Sequence, residues 1–172
     1  MIKYLIIGLS TLLCTSLPQA VKAEMLNLGS ASTGQPITLD TASIPSYGTQ
    51  GASSGAIFTY YLGRTRFNAE VNCARGEWES GGATHRPQSK ATRNMLSIVC
   101  SARHREPNAE DKGYMLIFDP PSNLRSRPNG QVACTIDEMV VIPVYAEPNN
   151  GWFSTSWCGG TWIHRSQVRP FY

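Results

Sequence analysis

Charge is scarce in this chain: 16% of its residues are charged, with 15 Lys+Arg against 12 Asp+Glu. Two of the basic residues, Lys3 and Lys22, lie in an amino-terminal segment that reads as removable, and without them the net charge falls from +3 to about +1. Phosphate neutralisation needs clustered Lys and Arg, so no electrostatic case for nucleic acid survives. Histidine is rarer still, limited to His85, His104 and His164. No C-x-x-C knuckle occurs, which removes the commonest sequence signal for structural zinc. At 172 residues the chain has room for one ordinary domain or two small ones, and a large multidomain enzyme is excluded.

What is present begins with an export signal. Met1-Ile-Lys3 is a short basic start, Tyr4 to Leu13 is almost wholly apolar, and Val21-Lys22-Ala23 offers small or slim residues for a signal peptidase. The apolar run meets Thr15, Ser16 and Pro18, well short of the roughly 20 residues a bilayer core requires. Residues 1–23 are therefore expected to be a cleaved signal, with no membrane span after its removal. Cys14 follows a bulky Leu13, which argues against lipidation.

Removal of the signal leaves Cys73, Cys100, Cys134 and Cys158. An even count in an exported chain favours disulfides. Zinc is the competing reading, but these cysteines are too widely spaced for clustered ligands. The stretch from Arg105 to Lys112, rich in Pro, Asn and acidic residues, reads as a boundary, so sequential pairing is expected: Cys73 with Cys100, Cys134 with Cys158. With all four bridged, a cysteine nucleophile is ruled out as well.

Two units follow along the chain, giving a mainly β fold: an α+β unit over 24–105, a linker over 106–113 and a small barrel over 114–172. The first opens on a Ser/Thr/Gly/Gln-rich lead-in, expected to be mobile, with Ile37-Thr-Leu39 as an edge strand. Ile57 to Leu62 and Phe67 to Cys73 suit a strand pair, and Gly76-Glu-Trp78 a further turn and strand. From Ser89 to Ala102 the apolar residues Ala91, Met95, Ile98, Val99 and Ala102 recur every three or four positions, which predicts a helix stapled to the sheet by Cys73–Cys100. In the second unit Asn123–Ser126, Val132–Ile136, Met139–Tyr145, Trp152–Trp157 and Trp162–His164 read as five short strands separated by turn residues. Val140, Ile142 and Val144 fall on one face of the longest and are its expected core.

The stretches Asp119-Pro-Pro-Ser-Asn-Leu-Arg-Ser, Pro128-Asn-Gly130, Cys134-Thr-Ile136, Asn150-Gly-Trp152-Phe and Cys158-Gly-Gly-Thr-Trp-Ile-His-Arg-Ser-Gln167 resemble a bacterial SH3-type (SH3b) domain of the form found in exported cyanobacterial proteins. The resemblance implies a small β-barrel that binds short peptides or cell-wall components, frequently as accessory to a hydrolase, although no recognisable hydrolase accompanies it here. Through Phe58-Thr-Tyr-Tyr-Leu-Gly63, Asn72-Cys73, Trp78, His85-Arg-Pro87 and Ala91-Thr92 to Cys100, the first unit loosely resembles the surface-adhesin E group. That likeness implies a β-rich envelope unit with a terminal helix and no chemistry.

Glu70, Glu77 and Glu79 cluster around Trp78 and could supply a carboxylate pair, but a solvated strand edge explains them equally. The aromatic crowding of Tyr145, Trp152, Trp157, Trp162 and Phe171 in the second unit is more telling, because a domain so small cannot bury every ring. Tyr145, Trp152 and Trp162, with Asn123, Arg125 and His164 at the rim, are the expected ligand-binding residues. The leading expectation is a periplasmic or extracellular, non-enzymatic envelope protein that needs no cofactor or metal and whose partner is peptidoglycan or an envelope protein or peptide. A wall-acting hydrolase or its accessory subunit, and a structural or adhesive surface protein, are the alternatives.

Overall fold

The computed structural model describes residues 24–45, 55–103, 113–145 and 150–171. The signal segment, His104 and most of the expected linker lie outside them. The described part is mainly β, built from antiparallel sheets, with one α-helix.

The first sheet has six strands in sequence order: β1 (Met25–Ser30), β2 (Pro36–Asp40), β3 (Ala56–Leu62), β4 (Thr65–Asn72), β5 (Glu77–Ser80) and β6 (Ala83–His85). Two expectations change here. The lead-in contains a strand, β1, whose Leu26 and Leu28 alternate into the core across a bulge between Asn27 and Gly29. Consequently β2 is an interior strand between β1 and β3, not an edge. Along β3, Ala56, Phe58 and Tyr60 point into the core while Ile57 remains exposed, as side chains alternate across a sheet; Thr59, on the other face, is buried too, its N–H donating to Ser43 Oγ (2.7 Å).

The cover is α1 (Lys90–Arg103). Its start is fixed by a reciprocal cap: the Thr92 N–H donates to Ser89 Oγ (3.1 Å), and the Ser89 N–H donates to Thr92 Oγ1 (2.9 Å). Ala91, Met95, Ile98, Val99 and Ala102, the predicted apolar face, are all buried in the same cluster as Leu39, Phe58 and Val71. Cys73, just beyond β4, is bonded to Cys100 on the helix, so the expected staple is in place. Closing a loop of 27 residues contributes about 3 kcal/mol.

The remaining chain forms β7 (Gly113–Ile117), β8 (Ser122–Arg125), β9 (Val132–Ile136), β10 (Val141–Val144), β11 (Trp152–Thr155), β12 (Thr161–His164) and β13 (Val168–Pro170). Seven strands replace the five expected, β7 and β13 being the additions, and Gly113, expected at the end of the linker, opens β7. The strands make a three-stranded sheet, β10-β7-β13, and a four-stranded sheet, β11-β12-β8-β9, linked where the Tyr145 N–H donates to the Ser154 carbonyl (3.1 Å). Between them lies a second core of Ile117, Leu124, Ile136, Val140, Ile142, Ile163 and Val168. The second disulfide, Cys134–Cys158, ties β9 to the 3-10 turn Trp157–Gly159.

Val140, Ile142 and Val144 are buried as expected, but so is Val141. It joins Leu116, Met139 and Phe171 in the first core, against the helix. Two hydrogen bonds accompany this packing: Met139 N–H to Asn94 Oδ1 (3.1 Å) and Val141 N–H to Ser101 Oγ (2.8 Å). Helix α1 thus has the six-stranded sheet on one side and β7 and β10 on the other.

Candidate functional site

Strand pairing decides which side chains of the four-stranded sheet share a face. Trp152 is opposite His164, Ser154 is opposite Trp162, and Trp162 is opposite Arg125. Asn123 pairs with Thr135. Directly opposed residues of antiparallel strands project to the same side, whereas the alternate residues Leu124 and Ile163 enter the second core. Five of the six sequence-selected residues, Asn123, Arg125, Trp152, Trp162 and His164, therefore share the outer face.

They are not equivalent. Trp162 is half-buried, in a row between Ser154 and Arg125. Arg125 Nη1 donates to the Gly130 carbonyl (2.7 Å), which holds the guanidinium in place and leaves further N–H donors of its planar fork. Asn123 Oδ1 accepts from Thr135 Oγ1 (2.8 Å). His164 serves the local structure, since its Nδ1 accepts the Ser166 N–H (3.3 Å) at the start of the 3-10 turn Arg165–Gln167. That bond puts the proton of the neutral imidazole on Nε2.

Trp152 corrects the expectation. It is 7% exposed, with its ring edge-on to His164 at 5.1 Å between centroids, so although it stands on this face it offers little free surface. Tyr145 lies just beyond β10, half-buried, with its backbone joined to Ser154. Phe171, counted among the rings crowding this unit, is buried in the first core, and Trp157 packs half-buried on the second. Sequence reasoning missed Ser154 and Thr135 as members of the face; their alternation along β11 and β9 carries the signal, but only once the register is known.

Of the three glutamates near Trp78, one is tied to cations and the other two face each other across the sheet. Glu77 is buried and engaged by Arg75 (3.6 Å) and Arg86 (3.3 Å). Glu70 accepts the Gly55 N–H (3.0 Å) and is the register partner of Glu79, both exposed on the sheet. His85, on the edge strand β6, stacks on Trp78 at 5.6 Å. Among the described residues no group of three or more His, Cys, Asp or Glu side chains could hold a metal ion, and no helix is long and apolar enough to cross a membrane. No protein-family model matches the chain, and neither a curated protein nor a solved structure matches it.

Proposed function

We propose that this is an exported, non-enzymatic envelope protein whose carboxy-terminal strands form an SH3-type barrel that binds peptidoglycan peptides or a peptide segment of an envelope partner. The observation that carries the reading is the row Ser154, Trp162, Arg125 across β11, β12 and β8, with Asn123 beside it. A half-buried indole supplies a flat apolar surface, and a guanidinium held by one hydrogen bond supplies fixed donors for a carboxylate or a carbonyl. Together these are the elements by which a small sheet holds an extended peptide. Export is supported by the basic and apolar start of the sequence and by two disulfides, bonds that persist in oxidising compartments.

Cosedimentation of the mature chain with insoluble peptidoglycan tests the reading. Retention without release of soluble fragments is expected. Release of fragments would replace it with a wall-acting enzyme, and neither retention nor release would replace it with an adhesive or structural role.

A further inference from the structure

A second recess lies away from that face, where the two parts of the fold meet. A cleft of about 340 Å³ is bounded by the β1 bulge, the first turns of α1, the segment 118–120 and Met139, a volume within the range of small-molecule sites. Its apolar wall includes Leu28, Phe118 and Met139, and its polar lining includes Lys90, Asn94 and Asp119.

Asn94 identifies the chemistry. It is 4% exposed, and because its Oδ1 accepts the Met139 N–H, the orientation of the amide is fixed. The remaining atom, Nδ2, carries two donors and is not one of the sealed side-chain atoms left without a partner, so on this cleft-lining residue its donors open toward the cleft. An amide held by one bond, with its donors open only at a cleft, is preset to meet an acceptor there. Lys90 and Asp119 are exposed, and neither has an ion-pair partner among the described residues. Opposite charges therefore line one cleft without neutralising each other, the ammonium on the helix side with Asn94 and the carboxylate on the side of Phe118.

We infer that this cleft binds a small zwitterion of the amino-acid or dipeptide class. The ligand's carboxylate accepts from Asn94 Nδ2 and pairs with Lys90, its ammonium pairs with Asp119, and its side chain rests against Phe118 and Met139. The site is independent of the Trp162 face.

Calorimetric titration of the mature chain with alanyl-leucine, its carboxy-terminal amide and its N-acetyl derivative tests the inference. Saturable binding of the dipeptide is expected, and each blocked form should bind about tenfold more weakly, the scale of one lost charge-assisted contact. Lys90→Gln should weaken the dipeptide by a similar factor and abolish the penalty for amidation, and Asp119→Asn should do the same for acetylation. Both residues are exposed, so melting temperatures should match the parent. Trp162→Ala should leave dipeptide affinity unchanged, which separates this site from the proposed wall-binding face. The inference is overturned if the dipeptide does not bind, if the blocked forms bind as well, or if neither charge substitution alters affinity.

Discussion

At single positions the outcome depends on which partner a side chain has found. Trp152 and Trp162 look alike in sequence, each following a glycine turn, yet one is buried against His164 and the other is half-buried between Ser154 and Arg125. Replacing Trp152 with Ala should therefore act on stability, costing about 3–5 kcal/mol as a large ring is removed from a closed site, a loss that thermal denaturation reads directly. Gly151 is held by its surroundings in two ways. Its φ is +84°, and an added Cβ would stand 3.1 Å from His164 Nε2. Gly151→Ala is expected to cost about 1–2 kcal/mol and to move the His164 ring, seen as a shifted imidazole resonance; an unchanged melting curve and resonance would contradict this. Asn94→Ala strands the buried Met139 N–H, for about 1–3 kcal/mol. None of these contacts is legible in the sequence, because Asn94 and Met139 are 45 residues apart and a sequence read alone supplies no register between distant segments.

Whole elements are more legible where their signal is local. The helix shows at 3.6-residue spacing and its observed span, Lys90–Arg103, lies one residue from the expected one, with Ser89 turning out to be the cap. Strands β3, β4, β9, β11 and β12 are marked by β-branched and aromatic residues between turn residues, and β8, Ser-Asn-Leu-Arg, shows only as a short extended piece framed by turns. Strand β1 escapes a sequence reading because Leu26 and Leu28 sit in a Gly/Ser/Asn context that masks a two-residue alternation, and without that neighbour β2 reads as an edge. Val141 falls outside the expected core because alternation presumes one buried face, whereas β10 is covered by the helix on its other side. A consequence at this scale concerns Met95, fully buried in the cluster that α1 shares with both of its neighbours. Met95→Ala should destabilise by about 2–5 kcal/mol, and denaturant unfolding should remain a single transition in which both parts of the fold lose structure together.

For the molecule as a whole, the composition break between the two parts is visible in sequence, while the way they meet is not. Leu116, Met139, Val141 and Phe171 join the core of the first sheet and α1, and the ion pairs Arg93–Glu138 (3.7 Å) and Arg169–Glu24 (2.9 Å) also join the two parts. Neither disulfide crosses between them. Limited proteolysis is expected to nick first within 105–113, where the sequence offers charge, Pro and Gly and few apolar side chains, and the two fragments should still co-elute under native, non-reducing conditions. Fragments that separate at once would show that the shared core contributes little. The candidate face is legible as a set of residue types and not as a surface: composition and turn spacing select Asn123, Arg125, Trp152, Trp162 and His164, but only pairing across three strands shows that they stand together, and only burial shows that the Trp152 ring is covered. The most direct test of the central claim is the affinity of the mature chain for insoluble peptidoglycan, compared between parent and Trp162→Ala. If the indole is a stacking surface, the variant should melt within a few degrees of the parent and lose about thirtyfold in affinity, on the order of 2 kcal/mol; a folded variant that binds like the parent would contradict the assignment of this face.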